Sequence, residues 1–302
     1  MSLTTFIDTP DVMAQIKPLR PKLPRQISTP LKVAPHSNRY AMVGTAFDYL
    51  LRFELQRRAS HALAEPWVAE FAPDRIWRET DTGGVGMDLL GDPRQKDWMP
   101  PDEVAKRTRS IIEEAKKAVD AYIKSKAPDR AKQAEIAAHA IRLAKLDLVI
   151  RALRLDPQFE VAQPEDVQDL LAIIAIVPFD ALLHKKVMYL NPTFGESSTL
   201  VGGADADLIT GDMLVDFKTT KNSEIPVPIL DQMLGYFLLA RNQQRTNPRF
   251  PKINKIGLYF CRHGYLWTMN TTTWTSHPQF AEIEEWFFKR AKEVRDLRGQ
   301  RQ

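Results

Sequence analysis

The chain has 302 residues, 44% hydrophobic and 26% charged, an ordinary globular composition with room for a catalytic core and a helical addition. Its one cysteine, Cys261, excludes an intramolecular disulfide, a four-cysteine iron–sulfur cluster and a zinc ribbon. A formal net charge of +4 suits a polyanionic partner without establishing one, so a case for nucleic acid has to come from chemistry.

Residues 1–40 are rich in proline (Pro10, Pro18, Pro21, Pro24, Pro30, Pro35) and more basic than acidic. They predict an extended arm, packed on the surface or partly disordered, that lies against a phosphate backbone or is simply solvated. The N-terminus lacks the basic-then-apolar order of a secretory signal. The most apolar stretch, Leu170 to Phe179, is shorter than a membrane span, so cytoplasm is the default location.

Residues 41–99 read as the first part of a catalytic domain, with a helix from Gly44 that carries Asp48. The glycine-rich stretch from Asp81 to Asp92 predicts a loop, and no GK[ST] follows that would make it a phosphate loop. Residues 100–186 predict a helical insertion. Pro100 and Pro101 followed by Asp102 and Glu103 open one helix, a second runs from about Arg130 to Leu155, and shorter ones follow near Glu165–Ala175 and Phe179–Lys186. This basic module either borders the active-site entrance or caps the core.

Residues 187–302 change texture. Two strand-like runs, Leu200–Thr210 and Met213–Thr220, flank the turn residues Gly211-Asp212 and predict a hairpin. An amphipathic helix spans Pro226–Gln243, a second hairpin turns about Arg262-His263-Gly264, and Ala281–Leu297 closes as a helix. Lys186–Phe194 adds a further strand. Strands, a crossover helix and more strands give a mixed α/β core.

Within the first hairpin, period-two alternation puts Asp216 and Lys218 on one face and Val215 and Phe217 on the other. Asp205 on the neighbouring strand completes a group of two carboxylates and one ammonium. Such a group is either an ion pair in a hairpin or a site for a hard divalent ion that polarises a phosphodiester and activates water. Lys218 would orient or help deprotonate that water, or steady the charge on the phosphorane. The Phe217 carbonyl is a further candidate ligand. Gln232 and Tyr236 are four apart on the following helix and share a face, which either looks at the scissile phosphate or packs in the core. Asp207, on the same strand face as Asp205, is a reserve candidate.

Asp205 in GGADADLI, Asp216-Phe217-Lys218 in MLVDFKTTK and Gln232-x-x-x-Tyr236 resemble the motif blocks of the PD-(D/E)XK nuclease superfamily, most of all its RecB-type exonuclease branch. The resemblance implies a restriction-endonuclease-like core: a mixed central sheet flanked by helices, with the helical insertion added. It further implies hydrolysis of DNA with Mg²⁺ or Mn²⁺ held at Asp205 and Asp216, Lys218 as the catalytic lysine, and Gln232 and Tyr236 supporting substrate and site. GTAFDYLL resembles the branch's GxxxH block with Asp48 in the histidine's place, so Asp48 is expected to complete the metal site. The four-cysteine iron–sulfur version is excluded. DNA is the expected partner, with a helicase or another DNA-processing protein as a second. Two rival readings stand beside the exonuclease: a structure-specific or restriction-like endonuclease on the same core, and a non-catalytic nucleic-acid-binding or assembly subunit that keeps the fold. The six histidines form no close metal-binding pair. Glu54 and Glu196 read as structural, and Trp267 and Trp274 as core aromatics rather than platforms for bases.

Overall fold

A computed structural model describes residues 2–22, 26–81 and 98–299. It is an α/β structure with one six-stranded mixed sheet and flanking helices. The strands are β1 (Leu63–Ala64), β2 (Met188–Leu190), β3 (Leu208–Thr210), β4 (Met213–Lys218), β5 (Lys255–Phe260) and β6 (Tyr265–Asn270), adjacent in that order. The pairs β1–β2 and β4–β5 are parallel and the other three antiparallel. No helix among the described residues is long and apolar enough to cross a membrane.

The chain divides into two units, Met1–Leu31 with His61–Glu65 and Asp180–Gln302, and Lys32–Ser60 with Pro66–Phe179. These limits differ from the 40, 99 and 186 boundaries that the sequence suggests. The helix carrying Asp48, Tyr40–Arg58, groups with the helical segment and not with the sheet.

The first unit holds the sheet. Pairing sets its faces: Ile209 lies opposite Leu214, which lies opposite Ile256 on the other side, and all three enter one core. The Val227–Thr246 helix crosses from β4 to β5, as a parallel pair requires, and fills this face with Met233, Phe237 and Leu238. Phe287 of the Phe280–Gly299 helix joins the same core. Gly211, at φ 60, supplies the left-handed turn between β3 and β4.

The N-terminal segment departs from the expected extended arm. Leu3–Ile7 and Pro10–Ile16 are helices, and Leu3, Phe6, Ile7, Val12, Ile16, Leu19 and Ile27 are buried in the core. Pro10 sits in the first turn of its helix, where the missing N–H costs nothing. Gly235 explains itself here, because a Cβ at that position would meet the Ile7 Cδ1 at 2.5 Å. The expected strand from Leu200 is also shorter than the sequence suggests. Glu196–Leu200 is a helix, and the chain turns through Gly202 and Gly203, both at positive φ, before β3 begins.

The second unit is helical: Tyr40–Arg58, Ala72–Asp81, Pro101–Ile123, Arg130–Ala152 and Pro164–Ile174. Several polar groups buried among the helices bond to one another. Tyr49 donates to Asp147 at 2.6 Å and accepts from the Ala69 N–H. Glu54 takes hydrogen bonds from Tyr122, Arg57 and Arg58, which gives it a structural role. Lys145, fully buried, donates to the carbonyls of Gln158 and Val161 and clamps the loop after its helix. Most of the glycine-rich stretch, residues 82–92, lies outside the described residues.

Candidate active site

β4 presents Leu214, Asp216 and Lys218 in turn to the face covered by the Val227–Thr246 helix. Leu214 is core, whereas Asp216, 5% exposed, and Lys218 stand where the helix leaves room. Their charges meet directly, with the Lys218 Nζ 2.6 Å from the Asp216 Oδ2. Lys218 also donates to the Gln232 Oε1 at 3.4 Å, and the Gln232 Nε2 donates to the Tyr236 hydroxyl at 3.0 Å. One hydrogen-bonded line, Asp216–Lys218–Gln232–Tyr236, thus joins strand to helix, and the four-residue helical spacing lets Gln232 and Tyr236 meet.

Asp205 and Asp207 approach from the β3 side. Asp205 pairs its backbone with Thr193 in an isolated antiparallel bridge. Asp207 immediately precedes β3, and one step of the β3–β4 register beyond Leu208 and Val215 puts it opposite Asp216. Its Oδ2 accepts the Phe217 N–H at 2.5 Å. N–H and C=O of one strand residue point to the same edge, so the Phe217 carbonyl also faces the β3 side, toward the aspartates. Asp207 therefore stands closer to the centre of the group than its reserve place in the sequence suggests. The signal was present: counting outward from the two-residue turn Gly211-Asp212 pairs 207 with 216.

Electrostatics describe the same convergence. Burial raises the Tyr236 phenol well above its ordinary pKa, and the charges of Asp216, Asp207 and Asp205 raise it further, so the hydroxyl keeps its proton. Burial pulls the Lys218 ammonium down, but Asp216 and then Asp207 more than reverse this, and its pKa ends above the ordinary lysine value. Cys261, enclosed beside this group, has its thiol pushed far up by burial and by Asp207, which makes it an inert core residue.

Neighbouring ion pairs fix the frame. Arg20 forks onto Asp231, Nε to Oδ1 at 3.0 Å and Nη2 to Oδ2 at 2.7 Å, one residue before Gln232. Arg262, 1% exposed, donates to the Thr219 carbonyl at 3.0 Å just beyond Lys218. Asp48 belongs to the other unit, where its carboxylate pairs with Arg52 at 2.8 Å. Glu196 is exposed, Trp274 is fully buried, and Trp267 packs partly buried against the core.

Among the described residues, no three histidine, cysteine, aspartate or glutamate side chains are converged as a ready metal cage. Mg²⁺ is held through one or two carboxylates, waters and substrate phosphates, and the donors at Asp205, Asp216 and the Phe217 carbonyl are all hard oxygens.

Fold and site together define an α/β chain with a carboxylate–lysine group on the inner hairpin of a mixed sheet. Comparison with protein-family models, curated proteins and solved structures gives no match.

Proposed function

We propose that the chain is a nuclease of the PD-(D/E)XK type that hydrolyses DNA phosphodiesters with Mg²⁺ or Mn²⁺, acting from strand ends. The observation that carries this reading is the placing of Asp216 and Lys218, two apart on β4, against Gln232 and Tyr236 on the crossover helix, with Asp205 and Asp207 facing them. On this reading the sheet and its flanking helices are a restriction-endonuclease-like core.

A divalent cation held by Asp205, Asp216 and the Phe217 carbonyl would give Lewis-acid charge to a phosphodiester oxygen and make a water easier to deprotonate. The chain's own groups do the rest. Lys218, held against Asp216, sets a positive charge near the oxygens that gain charge in the phosphorane. Gln232 holds the Lys218 Nζ through its Oε1 and the Tyr236 hydroxyl through its Nε2. The Tyr236 proton then remains free to donate to a phosphate oxygen. Asp207, already engaged with the Phe217 N–H, tunes the field and keeps that carbonyl aimed at the site.

The test is cleavage of end-labelled linear and closed circular DNA, single- and double-stranded, with Mg²⁺, Mn²⁺ or EDTA, for the native protein and Lys218→Ala. Metal-dependent loss of linear DNA alone, reduced at least about a hundredfold in the variant, is the expected result. Cutting of circles would replace it with an endonuclease. Binding without cleavage under every condition would replace it with a nucleic-acid-binding or assembly subunit, or with a nuclease that acts only beside a partner such as a helicase.

A further inference from the structure

The second unit contains a cavity of about 710 Å³, within the range of a small-ligand site. The segment before Tyr40 brings His36 to it, the Tyr40–Arg58 helix brings Glu54 and Arg58, the Arg130–Ala152 helix brings Arg130 and Gln133, and the Pro164–Ile174 helix brings Gln168. Leu171, Ile174, Val177 and Phe179 form an apolar wall.

Charge decides which ligands suit it. Among the described residues, Glu54 is the only acid in the lining, and three partners occupy it: Tyr122 on Oε1, and Arg57 and Arg58 on Oε2. Two guanidinium groups share one carboxylate, so Glu54 has nothing left for a cation, and the mouth keeps surplus positive charge, to which Arg130 adds. Arg58, exposed at the mouth, is anchored at two points. Its Nε is bound to Glu54 at 3.2 Å, and its guanidinium carbon lies 3.7 Å from the centre of the Phe179 ring. This leaves both Nη groups on its outer edge. Among the described residues, the side chains of His36, Arg130, Gln133 and Gln168 make no hydrogen bond. The cavity thus combines two guanidinium groups for an anion, one of them anchored, two amides that can each give and accept, and an apolar wall.

We propose that this cavity binds a nucleotide unit: phosphate on Arg58 and Arg130, base against the Leu171–Phe179 wall, and base edge read by Gln133 and Gln168. The chemistry is common to a free nucleoside monophosphate and to one residue of a single strand. A bare phosphate would leave the apolar wall unused, and a bare nucleoside would leave the two arginines unused. The inference does not rest on the nuclease reading, since it concerns binding in the helical unit alone.

The experiment is calorimetric titration in EDTA, where no hydrolysis occurs, with thymidine 5′-monophosphate, inorganic phosphate, thymidine and a short oligothymidylate. It uses the full chain and the variants Arg130→Glu and Gln168→Ala, both at exposed positions whose change leaves the fold intact. The monophosphate or the oligothymidylate should bind more tightly than phosphate or thymidine. Arg130→Glu should weaken that binding about tenfold or more, the value of one charge-assisted hydrogen bond. Binding of the monophosphate identifies a free nucleotide as sufficient, and binding of the oligothymidylate alone identifies a strand. Absence of binding by both, or binding unmoved by both variants, overturns the proposal. The result is distinguishable from the fate of the nuclease reading, because it is read as binding in EDTA through Arg130→Glu and Gln168→Ala in the helical unit, whatever Lys218→Ala does to cleavage.

Discussion

Asp147 and Lys218 show how burial and neighbours set the charge on single groups. Burial pushes the Asp147 carboxyl up to about 6, against the pull of the Tyr49 hydrogen bond and of Arg151 and Arg52, while Asp48 pushes it further the same way. A carboxyl whose folded pKa lies above its unfolded value favours the native state at low pH, and that contribution is lost as pH rises from about 4 through about 6. Asp147→Asn should therefore remove a fall in stability on the order of 3 kcal/mol across that window. Urea unfolding at several pH values checks this, and an unchanged pH profile would show that Asp147 titrates normally. The asparagine can still accept the Tyr49 hydroxyl, so the variant should fold. Residues such as Asp216, Lys218, Gln232 and Tyr236 were legible in the sequence because strand period two and helix spacing four are local rules. Asp207, a reserve candidate in the sequence, comes beside Asp216 through the residue that stands across the hairpin, which is not a local rule. The Arg58–Phe179 stack was not legible at all, since it joins segments far apart in the chain.

At the scale of elements, the long helices and both hairpins could be read from the sequence with ends shifted by a few residues, except that the first strand of the inner hairpin begins at Leu208 and not at Leu200. The N-terminal segment could not, because its prolines outweighed the apolar spacing of Leu3, Phe6 and Ile7 and of Val12 and Ile16 that builds two short helices. Its tie to the crossover helix is the Arg20–Asp231 fork. Asp231 is 4% exposed, so Arg20→Ala would strand a buried carboxylate and should cost about 2–3 kcal/mol, less than a fully buried pair because Arg20 itself reaches solvent. Arg20→Lys should restore charge without the two-point geometry and fall between the two. Midpoints of urea unfolding rank the three proteins, and equal midpoints would remove the fork from the list of stabilising contacts. If the nuclease reading holds, both variants should also lower turnover, since Gln232 follows Asp231 directly.

For the whole molecule, the two units make opposite demands on chain continuity. The helical unit is nearly one stretch, and a 32–179 fragment should fold by itself with a cooperative thermal transition followed by far-UV circular dichroism. The sheet unit is assembled from three separate segments. A 180–302 fragment lacks Leu3, Phe6, Ile7, Val12, Ile16, Leu19 and Ile27 from its core. At roughly 1.5–3 kcal/mol for each buried side chain, that loss is about 10–21 kcal/mol, as large as or larger than the usual 5–15 kcal/mol stability of a domain, so the fragment should remain unfolded. A sigmoidal melt from 180–302 alone would refute this. Synthesis gives the same feature another meaning. On a ribosome adding roughly 5–20 residues each second, the 3–31 segment emerges tens of seconds before the 227–246 helix that covers it. During that interval its apolar side chains have no native seat, while the helical unit behind them can already close. The earliest-made residues of the sheet unit are thus among the last to settle, and they are where a chaperone that shields nascent apolar segments would bind.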